Sequence, residues 1–569
     1  MATEVIDLSQ LTLFESCSPE DLERLSVAVT GAREIAEGSV LCREDEVADR
    51  WWIVVEGTAE VTIGGLYVAT IGPGESIGEL ALLDGDTRNA TVTASSDMVV
   101  QEVDGSRFLE LLAETPDVTL ALLRELAVRL RVTNQLTVRP LPGAAEAVVA
   151  PAEAPTSTPV ARRRAAVTFN PFAPGYFANP YPQYAELRQH DPVHLDGLTG
   201  AYLLTRYDDV HRLTRDRSLT VGIDHAAPTP VLDAERARDL AGGGMGHRMM
   251  LRRDGDDHTR LRRLVTKAFT PKAIAAWRER TELVIDRLLT DIEERDSIDV
   301  VDHFAAVFPD RIISEMLGMP AGDAGELRKW SEAITKTMDP LNSPHEESAS
   351  IEASKAMVAT IAGVIETKRA CPADDILTGL IEAEEAGEQL SRDEVVAQVI
   401  LLYAAGHENA RNLVGNGLVH LFEFPDQLDL LRANPSLDTN AIEEFIRFDS
   451  PVQFSRRIVV EPIDLDDLEI APGSVLLLGL GAANRDPDKW GPSADELNLA
   501  RPRANEHASF GGGPHHCLGS ALARLEAQVA LPMLIRRFPR MTLSEQVPTW
   551  EARMMLRGVE SLRVELRGA

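Results

Sequence analysis

Phe510-Gly511-Gly512-Gly513-Pro514-His515-His516-Cys517-Leu518-Gly519 places one thiol in a glycine-rich loop that opens onto an apolar helix. N–H groups at a helix N-terminus lower a thiol pKa and favour the thiolate. A thiolate is one of the few protein ligands that bind haem iron axially and push electron density toward it. The glycines let backbone approach a flat macrocycle. The four cysteines, Cys17, Cys42, Cys371 and Cys517, lie far apart with no Cys-x-x-Cys pair. That spacing excludes a zinc ribbon, a ferredoxin-type cluster and a dense disulfide framework. It suits a reducing cytoplasm.

A second stretch is built for an anion: Gly78-Glu79-Leu80-Ala81-Leu82-Leu83-Asp84-Gly85-Asp86-Thr87-Arg88-Asn89-Ala90-Thr91-Val92. A short helix starting at Gly78 offers unpaired N–H groups to a phosphate. Arg88 adds a charge-assisted, bidentate clamp. Glu79 supplies an acceptor that a sugar hydroxyl can satisfy.

The elements that must position these groups fall into two bodies. The chain has 569 residues and a formal charge of −33, which argues against a general nucleic-acid or anionic-membrane binder. Short β-type runs (SVLCRE, WWIVVEG, AEVTIGG, LYVATIG, NATVTA, MVVQEV) with intervening glycines predict a small barrel or roll. A helix opening at Ser18-Pro19 and ending near Val29 precedes them, and one from about Thr119 to Leu136 follows. An Ala/Pro-rich stretch over 137–167 reads as a poorly ordered linker containing Arg162-Arg163-Arg164. Beyond it, helices are expected near 180–190, 206–216, 257–269, 272–295, 350–369, 391–422 and 518–538. Short strands are expected around 193–205, 456–461 and 474–479. The N-terminus lacks a basic region followed by an apolar one, and no long uncharged apolar run occurs. Neither a signal peptide nor a membrane-spanning helix is therefore expected, and a cytoplasmic location is.

The stretch from Gly78 to Val92 resembles the phosphate-binding cassette of cyclic-nucleotide-binding domains, a β-roll with flanking helices, over residues 8–136. The resemblance implies that Gly78, Glu79, Leu80, Ala81, Arg88 and Asn89 hold cyclic AMP or cyclic GMP, with Arg88 on the phosphate and Glu79 on the ribose 2′-hydroxyl. The alternative is a roll that binds no nucleotide, pairs Glu79 with Arg88 and serves as a docking module. Regulators that use this domain append a helix-turn-helix reader; a Pro/Ala linker follows here, so DNA binding is rejected.

The Cys517 loop resembles the cysteine signature of the cytochrome P450 family, and the resemblance spans 168–569, a mainly α fold with small β-sheets. It implies haem b, with Cys517 as axial ligand and Phe510 and Gly519 in the same loop. Glu444-Phe445-Ile446-Arg447 matches the Glu-x-x-Arg of the family's K helix, a structural pair. Ala405-Gly406-His407-Glu408-Asn409 is similar to the oxygen-binding segment, with Glu408 as its acid. The family's usual Thr is replaced by Asn409, an amide that holds a water but donates protons poorly. His258, Arg262, Arg457 and His515 match the family's clamp on the haem propionates, with Arg456 as rival to Arg457. The implied activity is insertion of one oxygen atom from dioxygen into a small apolar organic substrate, with atypical chemistry such as carbon–carbon coupling as alternative. Electrons are expected from a separate ferredoxin and its reductase. A dimer or docking partner through the first body stays open. Substrate contacts are expected from about 221–250, which looks mobile, and 330–350.

Overall fold

The computed structural model describes residues 29–43, 46, 49–63, 66–72, 76–78, 81, 87–88, 90–105, 107–108 and 167, then 169–567 except 174, 198, 229, 321–323, 341–343, 386–389 and 545–546. The chain divides into two compact units, Met1–Ala154 and Pro155–Ala569. The expected helices before and after the first body, and the linker up to residue 166, lie outside the described residues.

In the first unit the β-branched and aromatic runs form strands β1 (Val29–Ile35), β2 (Val40–Cys42), β3 (Arg50–Glu56), β4 (Ala59–Ile63), β5 (Leu66–Ile71), β6 (Ser76–Ile77), β7 (Thr91–Ala94) and β8 (Met98–Asp104). They pair antiparallel in two four-stranded sheets, ordered β1-β8-β3-β6 and β2-β7-β4-β5. Alternate residues turn inward from both sheets: Trp52 and Val54 from β3, Ile77 from β6, Val92 from β7 and Val100 from β8 share one core. The register sets Trp52 opposite Ile77, the residue before Gly78, so β3 and β6 carry the edge of the anion segment.

In the second unit a five-stranded sheet runs in the order Leu219–Thr220 (β11), Phe454–Val459 (β12), Val475–Gly479 (β13), Tyr202–Leu204 (β10) and Val193–Leu195 (β9). The helices that matter for the site are α1 (Gly255–Thr266), α2 (Val307–Leu317), α3 (Arg392–Glu423), α4 (Asp438–Phe448) and α5 (Ser520–Arg537). A reciprocal cap starts α3: Glu394 N–H donates to Ser391 Oγ at 3.3 Å, and Ser391 N–H to Glu394 Oε2 at 2.8 Å. Because α3 is buried on nearly every side, it is the axis around which the large apolar core is packed.

Two sequence expectations change, and one apolar helix bears on a third. The predicted helix over 272–295 is two helices, Pro271–Ala275 and Arg278–Ile292, broken at Ala276–Trp277. The 221–250 region contains a helix, Pro230–Ala241, tied by Glu235 to Arg456 and Arg252. The segment Glu346–Ala370 is long and apolar enough by length and composition to cross a membrane, but Met357, Ile361 and Ile365 are buried in the core.

α5 also buries Glu526 completely, and neither carboxyl oxygen has a hydrogen-bond partner. Burial pushes its pKa well above the ordinary 4.5, so the folded chain keeps it neutral while the unfolded chain ionises. Its contribution is least unfavourable below pH 4.5, and stability is lost as pH rises from there toward the folded pKa. Glu526→Gln is expected to melt above wild type at pH 7, with the difference vanishing near pH 4 in parallel thermal melts.

Candidate functional site

Cys517 sits at the end of the loop that enters α5. Its own N–H donates to Phe510 O at 2.9 Å, closing the loop, Ser520 N–H donates to the Cys517 carbonyl at 3.4 Å, and the Gly519 and Ser520 amides favour the thiolate. The thiol keeps accessible surface, yet protein atoms crowd it closely enough that burial is the largest influence on its pKa. Burial pushes the thiol up; the two N–H groups, Arg262 and Arg524 oppose it. The expected lowered pKa is therefore not found for the thiol itself, because desolvation exceeds the helix-terminus effect. Two of the loop glycines have a packing role of their own. A β-carbon at Gly512 would strike the Arg215 side chain at 2.7 Å, and one at Gly513 would meet Arg215 Cα at 3.0 Å. They let the loop pass Arg215.

Positive charge converges beside this loop. Arg262 on α1 donates to His516 O at 2.5 Å. The rings of His258 and His515 lie 4.3 Å apart. Burial, His515 and Arg262 push His258 down to about 4. Arg457 on β12 is 5% exposed and, among the described residues, donates to Ser455 Oγ, Arg456 O and Thr214 O. Among the described residues neither Arg262 nor Arg457 makes an ion pair, and burial lowers the pKa of both. The buried Arg457 and half-buried Arg262 guanidinium groups, neither in an ion pair, are a fit for an anionic group. Arg456, the rival, is already bound in a fork to Glu235 at 2.7 and 3.2 Å.

Sequence reasoning missed Asp254. It precedes α1 as a cap residue would, but its side chain caps nothing. It accepts instead from Thr220 Oγ1 at 2.5 Å, Val221 N–H at 2.8 Å and His515 Nε2 at 2.9 Å, joining β11 to the cysteine loop.

On α3 the middle turn departs from the burial of its neighbours. Ala405 is exposed, and Gly406 and Asn409 are half-buried on the same face. Asn409 Oδ1 is buried without a hydrogen-bond partner. A β-carbon at Gly406 would lie 2.8 Å from Ile313 Cγ1, so this glycine permits α3 to pack on α2. Glu408 points elsewhere: Arg553 binds it, and Arg553 also donates to Thr335 O at 2.9 Å and contacts Glu551 at 3.3 Å. Burial pushes Glu408 up, but Arg553, Arg411 and His407 hold it below the usual carboxylate value. It therefore rests ionised.

Glu444 and Arg447 on α4 are both fully buried and bonded in a fork at 2.7 and 2.9 Å. Arg447 continues to Asn484 O and Ala494 O at 2.7 and 2.8 Å. Arg501, not identified from the sequence, completes the set at 3.0 Å from Glu444 Oε1. This cluster fixes the chain that leads into the cysteine loop.

In the first unit, Arg88 is 4% exposed and makes no ion pair among the described residues. Nη1 donates to Gly78 O at 2.6 Å and Nη2 to Arg50 O at 2.5 Å. Gly78 has φ +85°, and a β-carbon there would land on Arg88 Nη1. Ala81 is buried; Glu79, Leu80 and Asn89 lie outside the described residues. Gly78→Ala is expected to displace the guanidinium and weaken cyclic-nucleotide affinity at least about tenfold, the effect of losing one charge-assisted bond, when binding is measured by calorimetry.

The cytochrome P450 family model matches residues 235–559, and the cyclic nucleotide-binding domain model matches residues 32–115. Among curated relatives, Cytochrome P450 107B1 of Saccharopolyspora erythraea is 38% identical over 393 residues, covering 67% of this chain and 94% of its own. Vitamin D(3) 25-hydroxylase of Pseudonocardia autotrophica is 36% identical, covering 66% and 90%. Of solved structures, the polyketide synthase cytochrome P450 PksS of Bacillus subtilis superposes with TM-score 0.63 at 32% identity over 70% of this chain and all of that one. Epothilone B-bound cytochrome P450epoK superposes with TM-score 0.66 at 29% identity over the same shares.

Proposed function

Because this chain belongs to the cytochrome P450 family and carries a cyclic-nucleotide-binding domain ahead of the enzyme, we propose that it is a haem-thiolate monooxygenase for an apolar organic substrate, with a first domain that senses cyclic AMP or cyclic GMP. The observation that carries the enzyme reading is the Cys517 loop: a crowded thiol favoured as thiolate by the Gly519 and Ser520 amides, beside buried Arg457 and half-buried Arg262, neither of which makes an ion pair among the described residues. The donor set fits haem. When bound, that group supplies dioxygen activation and insertion of one oxygen atom into the substrate.

The residues around it then take separate tasks. Cys517 would hold the haem iron, and the Gly519 and Ser520 amides would stabilise its thiolate. Arg457, Arg262, His258 and His515 face the propionates, with Asp254 orienting His515 at 2.9 Å. Glu408, buried and held ionised by Arg553, would relay protons together with Asn409 and a trapped water. Asn409 Oδ1, buried and without a partner, holds a water on the exposed face of α3. Met245 and Met249, partly buried against the core, offer an apolar surface to substrate. Relatives named for vitamin D(3) and 6-deoxyerythronolide B hydroxylation support an apolar substrate class. Electrons come from a separate ferredoxin and reductase: with Cys517 committed to iron, the remaining cysteines cannot supply a four-thiolate cluster.

The test is reconstitution with haem and a reduced carbon-monoxide spectrum. The thiolate-type band is expected; an imidazole-type band would assign the ligand to another residue.

A further inference from the structure

Arg88 is buried and makes no ion pair among the described residues, and its surroundings show what holds it in place. Arg88 Cζ lies 5.3 Å from the centroid of the Trp52 ring. Trp52 is 6% exposed on β3, and its indole N–H donates to Glu102 Oε2 at 3.3 Å, which fixes the ring plane. Arg50 Nη1 donates to the other oxygen of Glu102 at 2.7 Å, and the Arg50 carbonyl accepts from Arg88. Arg88 N–H donates to Glu46 O at 2.7 Å, anchoring its backbone to the chain leading into β3. The guanidinium is thus bounded by one aromatic face and two carbonyls. Among the described residues these bonds engage two of its five N–H donors.

We propose that Trp52 is the positioning residue of the phosphate clamp: its indole face, set by Glu102, holds the Arg88 guanidinium flat beside Gly78 so that its remaining donors meet the cyclic phosphate. The inference rests on the nucleotide reading of the first unit. A carboxylate partner would neutralise Arg88 and compete with the ligand. A π face stabilises the cation and leaves its charge available to a phosphate. The desolvated cation–π range corresponds to roughly a 3- to 30-fold change in affinity when the face is removed.

The experiment is calorimetric titration of cyclic AMP, cyclic GMP and inorganic phosphate into the haem-loaded full chain and into three variants. Trp52→Phe keeps a ring and is expected to bind within a few-fold of wild type. Trp52→Leu is expected to lose roughly 3- to 30-fold. If Leu unfolds the roll, as judged by a lost melting transition, Trp52→Met preserves side-chain bulk without a ring and takes its place. Arg88→Ala separates the two layers of the claim. Binding abolished by Arg88→Ala but unchanged by Trp52→Leu or Trp52→Met overturns the role of Trp52 alone. Binding unchanged by Arg88→Ala overturns the nucleotide reading beneath it. Loss in Phe equal to the loss in Leu also overturns the proposal, since a ring at position 52 would then not matter.

Discussion

Cys517→Ala is expected to leave the fold standing and remove the chemistry. The loop does not depend on the sulfur: the Cys517 N–H to Phe510 O bond, the Arg262 to His516 O bond and the Asp254–His515 contact all survive the change. What is lost is the axial thiolate and its electron donation. Product formation should fall to background and the thiolate-type band should vanish from the reduced carbon-monoxide spectrum, while the far-ultraviolet circular dichroism stays as in wild type. An unchanged spectrum would assign iron ligation elsewhere. Cys42 and Cys371 do not substitute, because Cys42 is buried in the first unit, where its thiol contacts Ala90 O, and Cys371 follows the helix Pro344–Ala370.

Glu408→Gln should have the next largest effect. The amide keeps the shape but cannot carry a proton. A lost general acid–base step lowers turnover by about 10²- to 10⁴-fold. Substrate-induced spectral change should persist, because Glu408 is bound to Arg553 and not placed on the exposed face of α3. The solvent isotope effect on turnover should rise and more reducing equivalents should be spent per product. Some stability is lost as well, since Arg553 keeps Glu551 but not its main carboxylate partner. Turnover equal to wild type would reduce Glu408 to an ion-pair partner of Arg553.

The parts of this site that can be read along the chain are those whose signal is local. The Cys517 loop, the Glu444–Arg447 pair and the β-runs from Arg50 to Asp104 each declare themselves within about ten residues. The strands fall where branched and aromatic residues alternate, and α3 falls where its cap at Ser391 places it. What escapes is closure between distant segments. Arg501 meets Glu444 across 57 residues, Arg553 meets Glu408 across 145, and His515 meets Asp254 across 261. Each of these residues alone reads as an ordinary surface charge; only packing reveals a partner. The packing of Gly512 and Gly513 on Arg215 and of Gly406 on Ile313 is equally silent in the sequence. The helix break at Ala276–Trp277 is likewise silent in the apolar spacing, which continues through it.

Among the described residues the buried Arg88 is bounded by two carbonyls and an indole and makes no ion pair, which supports reading the first unit as an anion site. The most direct test of the combined account is calorimetric titration of cyclic AMP and cyclic GMP into the haem-loaded full chain. Saturable binding of one of them, absent in Arg88→Ala, is the predicted result. No heat from either nucleotide with wild-type protein would contradict the account and leave the first unit without its ligand.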